Sequence, residues 1–261
     1  VLQLRLHKMK IGFIISMYDE INQVLSTIDA LKRNNCKIVV IQSNPHYEDK
    51  ILDKNMVDHY ELLSDLAGSK ENYEKERELE IDGTITPAKA LSRNFRHGFM
   101  AAKEMDVDWW VLILGDISIV NLNGIKKIIE KMEIENKLIG VTRAIGQTFL
   151  NKNAKLSRIQ KEDTSDFMPQ FFIIKSDMVK KGIFNEIPIS NPHTPEQCLG
   201  DSVLTFCEKN SLKFFEIMFS ICDYPYPKFI DGLKYNPDKA SLPRFLDGTI
   251  NAWRKFRVKS K

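Results

Sequence analysis

The most constraining feature of this sequence is a run of six apolar residues, Trp109 to Leu114, that is followed directly by a glycine and an aspartate. An extended chain places successive side chains on opposite faces, so a run without polar positions predicts a strand that is buried on both sides. Strands of this kind occur inside parallel sheets that helices cover on both faces. The run therefore favours an α/β fold.

The segments around this run predict the same architecture. Lys10 to Ser16 and Lys37 to Gln42 are short apolar runs typical of buried strands, and Asn22 to Asn34 between them repeats apolar residues at helical spacing. Strand–helix–strand units form parallel sheets through right-handed crossovers. We therefore expect a Rossmann-like α/β domain with a mostly parallel central sheet flanked by helices. Further strands are predicted at Tyr60 to Leu66, Leu138 to Thr142, Gln170 to Lys175 and Leu212 to Cys222.

Composition narrows the class of protein. The chain has 261 residues, of which 43% are hydrophobic and 28% charged, as in globular domains. No apolar run approaches the roughly 20 residues that a membrane-spanning helix needs. The four cysteines form no Cys-x-x-Cys pair, and a chain of this size does not depend on disulfides. These features predict a cytoplasmic protein with reduced thiols.

Positive charge is concentrated at the C-terminal end. Residues 228–261 contain nine Lys or Arg and three Asp or Glu, whereas the rest of the chain is slightly acidic. We predict a folded domain over residues 1–227 and a basic tail over residues 228–261. The distribution argues against nucleic-acid binding, which needs positive charge over a larger face. Apolar residues at near-helical spacing from Ser241 to Lys259 predict an amphipathic tail helix, which lies either on the anionic inner face of a membrane or on the domain itself.

Two polar clusters are predicted at the carboxyl edge of the sheet, where open parallel sheets bind ligands. The first follows the first strand and contains Ser16, Tyr18 and Asp19. The second contains Lys89 and Arg93, on the helix that leads to the central strand, where cationic groups can bind a phosphate. Taken singly, each cluster is also typical of a helix cap or a solvated helix face. Their common position at one edge favours a binding site.

A single aspartate, Asp116, directly follows the central strand. Carboxylates at this edge often hold a divalent cation, because Mg²⁺ and Mn²⁺ prefer carboxylate and phosphate oxygens as ligands. An aspartate in this position can also cap its own turn. Because the charge comes immediately after strongly buried sequence, we interpret Asp116 as a metal ligand.

These clusters, in this order, resemble the family 2 glycosyltransferases with the GT-A fold. In that family the first strand ends in a Pro-x-Tyr-Asn-Glu-like turn, and a helix then carries Ala-Arg-Asn and a later glycine. An apolar strand ending in Asp-x-Asp follows, then an acceptor-side strand and a Glu-Asp motif that opens a helix. The matching segments lie between roughly Lys10 and Cys222 and are Ser16 to Glu20, Ala90 to Asn94 with Gly98, Trp109 to Ser118, Gln170 to Lys175 and Glu196 to Leu204.

The resemblance implies an inverting transferase that moves a sugar from a nucleotide-diphosphate sugar to a hydroxyl of a glycan, lipid-linked or protein acceptor. Asp201 would be the general base and Glu196 the second candidate, although Asp201 can also cap the following helix. His193 and Gln170 would lie on the acceptor side. His193 stands between two prolines and is also typical of an exposed turn.

The same resemblance implies the metal and donor sites. Mn²⁺ or Mg²⁺ would be held by Asp116 and Ser118 and would stabilise the charge on the leaving diphosphate. Ser118 stands where the family has the second carboxylate of Asp-x-Asp, and Ser43 lies in a segment where the family usually has acidic residues that read the base. The residues expected to bind the nucleotide are Ser16, Tyr18, Asp19, Ser43, Lys89, Arg93, Asn94 and Asp116.

Two other functions are compatible with the sequence. A sugar-phosphate nucleotidyltransferase shares the fold class, but it needs a glycine-rich basic loop after the first strand, and the loop here carries Asp19 and Glu20. An inactive GT-A domain that binds a glycan or a partner protein is supported by Ser118, which leaves one carboxylate at the metal position. Turnover of a nucleotide sugar would separate these functions.

Overall fold

The strands and helices are described here from a computed structural model, which covers residues 9–18, 20–43, 51–63, 87–115, 117–119, 121–144, 167–183, 203, 205–219 and 233–235. The described strands are β1 (Ile11–Met17), β2 (Lys37–Ser43), β3 (His59–Leu63), β4 (Trp109–Leu114), β5 (Ile117–Ile119), β6 (Ile139–Ala144), β7 (Phe167–Lys175), β8 (Phe215–Phe219) and β9 (Leu233–Tyr235). The described helices are α1 (Ile21–Lys32), α2 (Pro87–Ala102), α3 (Asn123–Ile134) and α4 (Ser176–Lys180), with a 3₁₀ turn at Lys54–Met56. Residues 205–209 are also helical.

Seven strands form one sheet in the order β3-β2-β1-β4-β7-β6-β8. β1 pairs in parallel with β2 and β4, and β2 pairs in parallel with β3. β7 is antiparallel to both of its neighbours, whereas β6 and β8 are parallel to each other. Six strands therefore run in one direction and β7 in the other, which confirms the predicted mostly parallel sheet. β5 and β9 form a separate antiparallel pair.

The central strands are buried on both faces, as their apolar sequences predict. On one face α1 and α3 pack against a layer that contains Phe13 and Trp109, and on the other α2 and α4 pack against Ile14 and Trp110. Both tryptophans are fully buried, because consecutive strand residues point to opposite sides. Each large apolar side chain buried in this way stabilises the fold by about 1.5–3 kcal/mol. Packing on both faces thus fixes the central strands, and with them the edge at which these strands end.

The sequence pattern does not predict β5 or β9, since three residues are too few to show an alternation. β9 belongs to the predicted basic tail, yet it pairs with β5 of the body. The predicted tail helix from Ser241 to Lys259 lies outside the described residues. The division of the chain at residue 227 stays a prediction.

Helix length bears on membrane insertion. The longest described helix, α2, has 16 residues, and a spanning helix needs roughly 20. Among the described helices, none is both long and apolar enough to cross a membrane.

Candidate functional site

β1, β2 and β4 end side by side, at the edge where the sequence predicts a ligand site. Ser16, near the end of β1, is in register with Ile41 in β2 and with Leu114 in β4. The backbone N–H of Gly115 donates a hydrogen bond of 2.8 Å to the carbonyl of Ser16. The chain that leaves β4 therefore stays against the end of β1. Asp116 is the next residue and lies outside the described residues, which resume at β5.

A buried amide joins helix α2 to this edge. Asn94 Nδ2 donates hydrogen bonds to Ser16 Oγ at 3.0 Å and to Ser43 Oγ at 2.9 Å. All three side chains are buried, with at most 5% exposure. The sequence predicts each of them as a donor-binding residue, and the structure brings them together from α2, β1 and β2. Their contacts fix the position of α2 over the two strand ends.

Arg93 is buried beside Asn94 in α2. Burial lowers the pKa of its guanidinium below the ordinary value, and the negative charge of Glu61 in β3 opposes that shift. Glu61 Oε1 also lies 2.8 Å from Nδ1 of His97, one turn further along α2. Because an arginine side chain stays protonated in proteins, Arg93 is a fixed positive charge between α2 and β3. Lys89 lies one turn before Arg93 in the same helix, where only its backbone is described.

Gln42 in β2 is fully buried and holds the turn that follows β1. Its Nε2 donates a hydrogen bond of 2.7 Å to the backbone carbonyl of Tyr18. Its Oε1 accepts hydrogen bonds from the backbone N–H of Leu52 at 3.1 Å and from the hydroxyl of Tyr60 at 2.8 Å. Tyr18 is a predicted donor-binding residue and is itself buried. The amide of Gln42 therefore positions Tyr18 from inside the protein.

The turn after β4 fits closely against the turn after β1. The buried carboxylate of Glu20 accepts a hydrogen bond of 2.7 Å from the backbone N–H of Tyr18. A Cβ atom on Gly115 would lie 2.8 Å from Glu20 Oε2 and 3.0 Å from Met17 Cβ. A side chain at position 115 would shift the Glu20 carboxylate that binds the Tyr18 N–H and would crowd Met17. The glycine before Asp116 therefore suits the close approach of the two turns.

The short strand β5 is held from both sides. Thr27 Oγ1 in α1 accepts a hydrogen bond of 2.9 Å from the N–H of Ile119 and donates one of 3.4 Å to the carbonyl of Ile117. On its other side β5 pairs with β9, and Ser118 is directly opposite Lys234. Ser118 is half-buried. The position of Ser118 is thus fixed by α1 and by the C-terminal segment together.

The remaining predicted site residues divide into two groups. Gln170 lies in β7, one position before Phe171, which pairs with Ile113, so its backbone is at the carboxyl end of β4. The roles of the other five stay predictions, because these residues lie outside the described residues. They are Asp19, Asp116, His193, Glu196 and Asp201.

The side chains at this edge limit how a metal ion could bind. Within the described residues there is no group of three or more His, Cys, Asp or Glu side chains that could hold a metal ion. A cation at this edge would have the Asp116 carboxylate and the Ser118 hydroxyl as protein ligands. Mg²⁺ commonly binds through one or two carboxylates together with substrate phosphates and water. The residues therefore fit a metal that binds together with a diphosphate.

Sequence reasoning missed the positioning roles of Gln42 and Thr27, and it includes Glu20 only as part of the turn after the first strand. Gln42 ends an apolar run, and Thr27 lies on the buried face of α1 beside Ile28. Because buried polar groups almost always have hydrogen-bond partners, a polar residue inside an apolar pattern indicates a specific contact. The sequence therefore shows that these polar residues make specific contacts, although it does not show with which residues.

Comparison with known proteins places the fold. Neither a protein-family model nor a curated protein sequence matches the chain. Glucosyl-3-phosphoglycerate synthase from Mycobacterium tuberculosis, in complex with Mn²⁺, UDP and glucosyl-3-phosphoglycerate, is similar with a TM-score of 0.50 and 11% identity, over 83% of this chain and 73% of that chain. The UDP complex of the same enzyme gives a TM-score of 0.50 and 12% identity over the same shares. The chain has the GT-A fold of the glycosyltransferases that its motifs resemble.

Proposed function

We propose that this protein is a glycosyltransferase that moves a sugar from a nucleoside-diphosphate sugar to an acceptor hydroxyl, with inversion at the anomeric carbon. The observation that carries the proposal is the contact of Asn94 with Ser16 and Ser43 at the carboxyl edge of a GT-A sheet. Open α/β sheets bind their ligands at this edge. Gly115, which precedes Asp116, is hydrogen-bonded to Ser16 at the same place.

The direction of α2 supports a diphosphate site at this edge. Asn94 contacts Ser16, and Gly98, four residues later, lies against Ile14, so α2 runs from the carboxyl edge back along β1. Its N-terminal turn, which contains Lys89, therefore extends beyond the strand ends, on the side where open sheets bind ligands. Helix N-termini and cationic side chains both favour phosphate groups. Arg93 adds a further positive charge one turn along the helix.

The nucleoside would lie along the turns after β1 and β2. Tyr18 and Asp19 follow β1, and Ser43 ends β2. Gln42 and Glu20 hold the backbone of Tyr18 from both sides, by hydrogen bonds to its carbonyl and to its N–H. A turn fixed in this way presents its contacts without further ordering, which favours binding.

A divalent cation, Mn²⁺ or Mg²⁺, completes the proposed donor site. Asp116 would hold it, together with Ser118 and the oxygens of the diphosphate. When bound, such a cation stabilises the negative charge of the leaving diphosphate. The similar mycobacterial enzyme was crystallised with Mn²⁺ and UDP.

The transfer itself needs a base on the acceptor side. The acceptor oxygen forms the new bond to the anomeric carbon while the bond to the diphosphate oxygen breaks, and Asp201 removes the hydroxyl proton. Glu196 is the second candidate for this role. His193 and Gln170 would contact the acceptor, and the position of Gln170 next to the end of β4 supports its part in this assignment.

A ligand screen tests the proposal directly. The unfolding temperature would be measured with nucleoside diphosphates and nucleotide sugars, with and without Mn²⁺. A ligand at 100 times its dissociation constant stabilises a protein by about 2.7 kcal/mol, which is measurable. We expect Asp116→Ala to lose the Mn²⁺-dependent part, whereas Asp29→Ala, at an exposed site on α1, should not. The proposal is wrong if no nucleotide shifts the transition and no nucleotide sugar is turned over.

Replacement of the proposed base tests the mechanism. Asp201→Asn keeps the size and capping ability of the side chain but cannot accept a proton. We expect the transfer rate to fall by about 10²-fold or more, the scale of general-base removal, with little change in donor affinity. Asp29→Asn is the matched control. Full turnover by Asp201→Asn would reduce Asp201 to a helix cap and make Glu196→Gln the next variant to test.

We also propose that the basic tail attaches the enzyme peripherally to the anionic inner face of a membrane, where lipid-linked acceptors occur. Residues 228–261 carry a net positive charge, and each basic residue near an anionic surface contributes about 1 kcal/mol. We expect the intact protein to sediment with anionic vesicles at low salt, but not with neutral ones. Equal sedimentation after deletion of the residues from Ser241 onward would contradict this role.

A further inference from the structure

The pairing of β5 with β9 brings a lysine next to the predicted metal position. Ser118 is directly opposite Lys234 in this antiparallel pair. Directly opposite residues of such a pair have Cβ atoms about 4.5–5.5 Å apart. Ser118 is also where the resemblance implies the second carboxylate of Asp-x-Asp. At that position this chain therefore has the hydroxyl of Ser118, and a lysine lies directly opposite in β9.

The charges in this arrangement have a direct consequence. A carboxylate at position 118 would carry a negative charge in register with Lys234, whereas a serine carries none. Lys234 is also the basic residue of the segment 228–261 that lies among the described residues. The pairing with β5 therefore places the backbone of one basic residue of the tail opposite Ser118, in the strand that follows the end of β4.

We propose that Lys234 is a diphosphate-binding residue whose ammonium supplies, beside Ser118, positive charge that a metal held by a second carboxylate would otherwise provide. The inference rests on the proposed function, because it requires a nucleoside diphosphate at this edge. A lysine ammonium is a compact charge with three donors and suits phosphate oxygens. Positive charge fixed at this point stabilises the leaving diphosphate as charge develops on it.

If Lys234 has this role, nucleoside diphosphates should bind partly without a divalent metal. Calorimetry with UDP and GDP, in EDTA and at two salt concentrations, would compare the wild type with Lys234→Gln and Lys234→Arg. We expect the wild type to bind in EDTA, and Lys234→Gln to lose about tenfold or more in affinity, the scale of one charge-assisted hydrogen bond. Lys234→Arg should keep most of the affinity, because it keeps the charge.

A matched control separates local from general charge effects. Lys127→Gln removes the same charge from an exposed site on α3 and should leave the affinity in EDTA unchanged. Circular dichroism and the unfolding temperature would confirm that each variant is folded. Binding in EDTA should also weaken with added salt in the wild type more than in Lys234→Gln.

The possible results are distinct. Binding by the wild type only with Mn²⁺, or equal affinity of Lys234→Gln and the wild type in EDTA, overturns the role of Lys234 and leaves the proposed function intact. The absence of any nucleoside-diphosphate binding, with or without Mn²⁺, overturns both. Ser118→Asp should weaken binding in EDTA and increase the gain from Mn²⁺. If it changes neither, Ser118 and Lys234 do not act on the ligand.

Discussion

The side-chain amide of Gln42 donates a hydrogen bond of 2.7 Å to the backbone carbonyl of Tyr18. Its oxygen accepts two more hydrogen bonds, from the backbone N–H of Leu52 and the hydroxyl of Tyr60. Gln42 is fully buried, so water cannot replace it as the partner of the two backbone groups. One side chain of β2 therefore fixes the turn after β1, which carries predicted nucleotide contacts.

Replacement of this amide should be costly. Gln42→Leu keeps the approximate size of the side chain but removes the partner of two buried backbone groups and of the half-buried Tyr60 hydroxyl. A buried polar group that is left unsatisfied costs about 1–3 kcal/mol. We expect the free energy of unfolding to fall by about 3 kcal/mol or more, as measured by urea denaturation. Tyr60→Phe removes one of the three bonds and should cost about 1 kcal/mol. Equal losses in the two variants would contradict the positioning role of Gln42.

The fold was predictable because its signals are local and long. β1, β2 and β4 are continuous apolar runs, and α1 and α2 repeat apolar residues at helical spacing, so each segment indicates both its type and its burial. The antiparallel direction of β7 was not predicted. Strand direction depends on which strands become neighbours, and the apolar pattern of a buried strand is the same in either direction.

The site was predictable only as a set of residues at one edge. The motifs place Ser16, Ser43 and Asn94 there, and the structure brings them into contact. The pairing of Ser118 with Lys234 joins residues that are far apart in the chain, through two strands of three residues each. Neither strand has a pattern of its own, so the sequence could not reveal that a basic residue of the tail lies opposite Ser118.

The hydroxyl of Thr27 should control the position of β5. Thr27→Val keeps the shape of the buried side chain but removes the acceptor of the Ile119 N–H and the donor to the Ile117 carbonyl. We expect a loss of about 1–2 kcal/mol in stability and faster hydrogen exchange of the Ile119 amide. Thr27→Ser keeps the hydroxyl and should preserve the protection of that amide. Unchanged exchange in Thr27→Val would show that α1 does not hold β5.

The contact between Gly98 and Ile14 should give a non-additive pair of substitutions. A Cβ atom on Gly98 would lie 2.4 Å from Ile14 Cγ2, so Gly98→Ala forces α2 away from β1. Overpacking of this kind costs about 1–3 kcal/mol, although alanine alone favours a helix over glycine by about 1 kcal/mol. In Ile14→Ala the obstructing atom is absent, and Gly98→Ala should then be neutral or stabilising. Additive effects in the four-member cycle, measured by urea unfolding, would exclude the contact.

The buried thiol of Cys36 should reduce stability at alkaline pH. Burial raises the pKa of this thiol from 9.0 to about 12, so the folded protein keeps the proton that the unfolded chain loses above pH 9. Because the unfolded state then binds fewer protons, stability falls as pH rises through the interval between these two pKa values. From pH 8 to pH 10 this group should lower the free energy of unfolding by about 1.4 kcal/mol. Cys36→Ala removes the titrating group. Between pH 8 and pH 10 the free energy of unfolding of this variant, measured in urea, should therefore fall by about 1.4 kcal/mol less than that of the wild type. Equal declines in the two proteins would show that the thiol is not buried in solution.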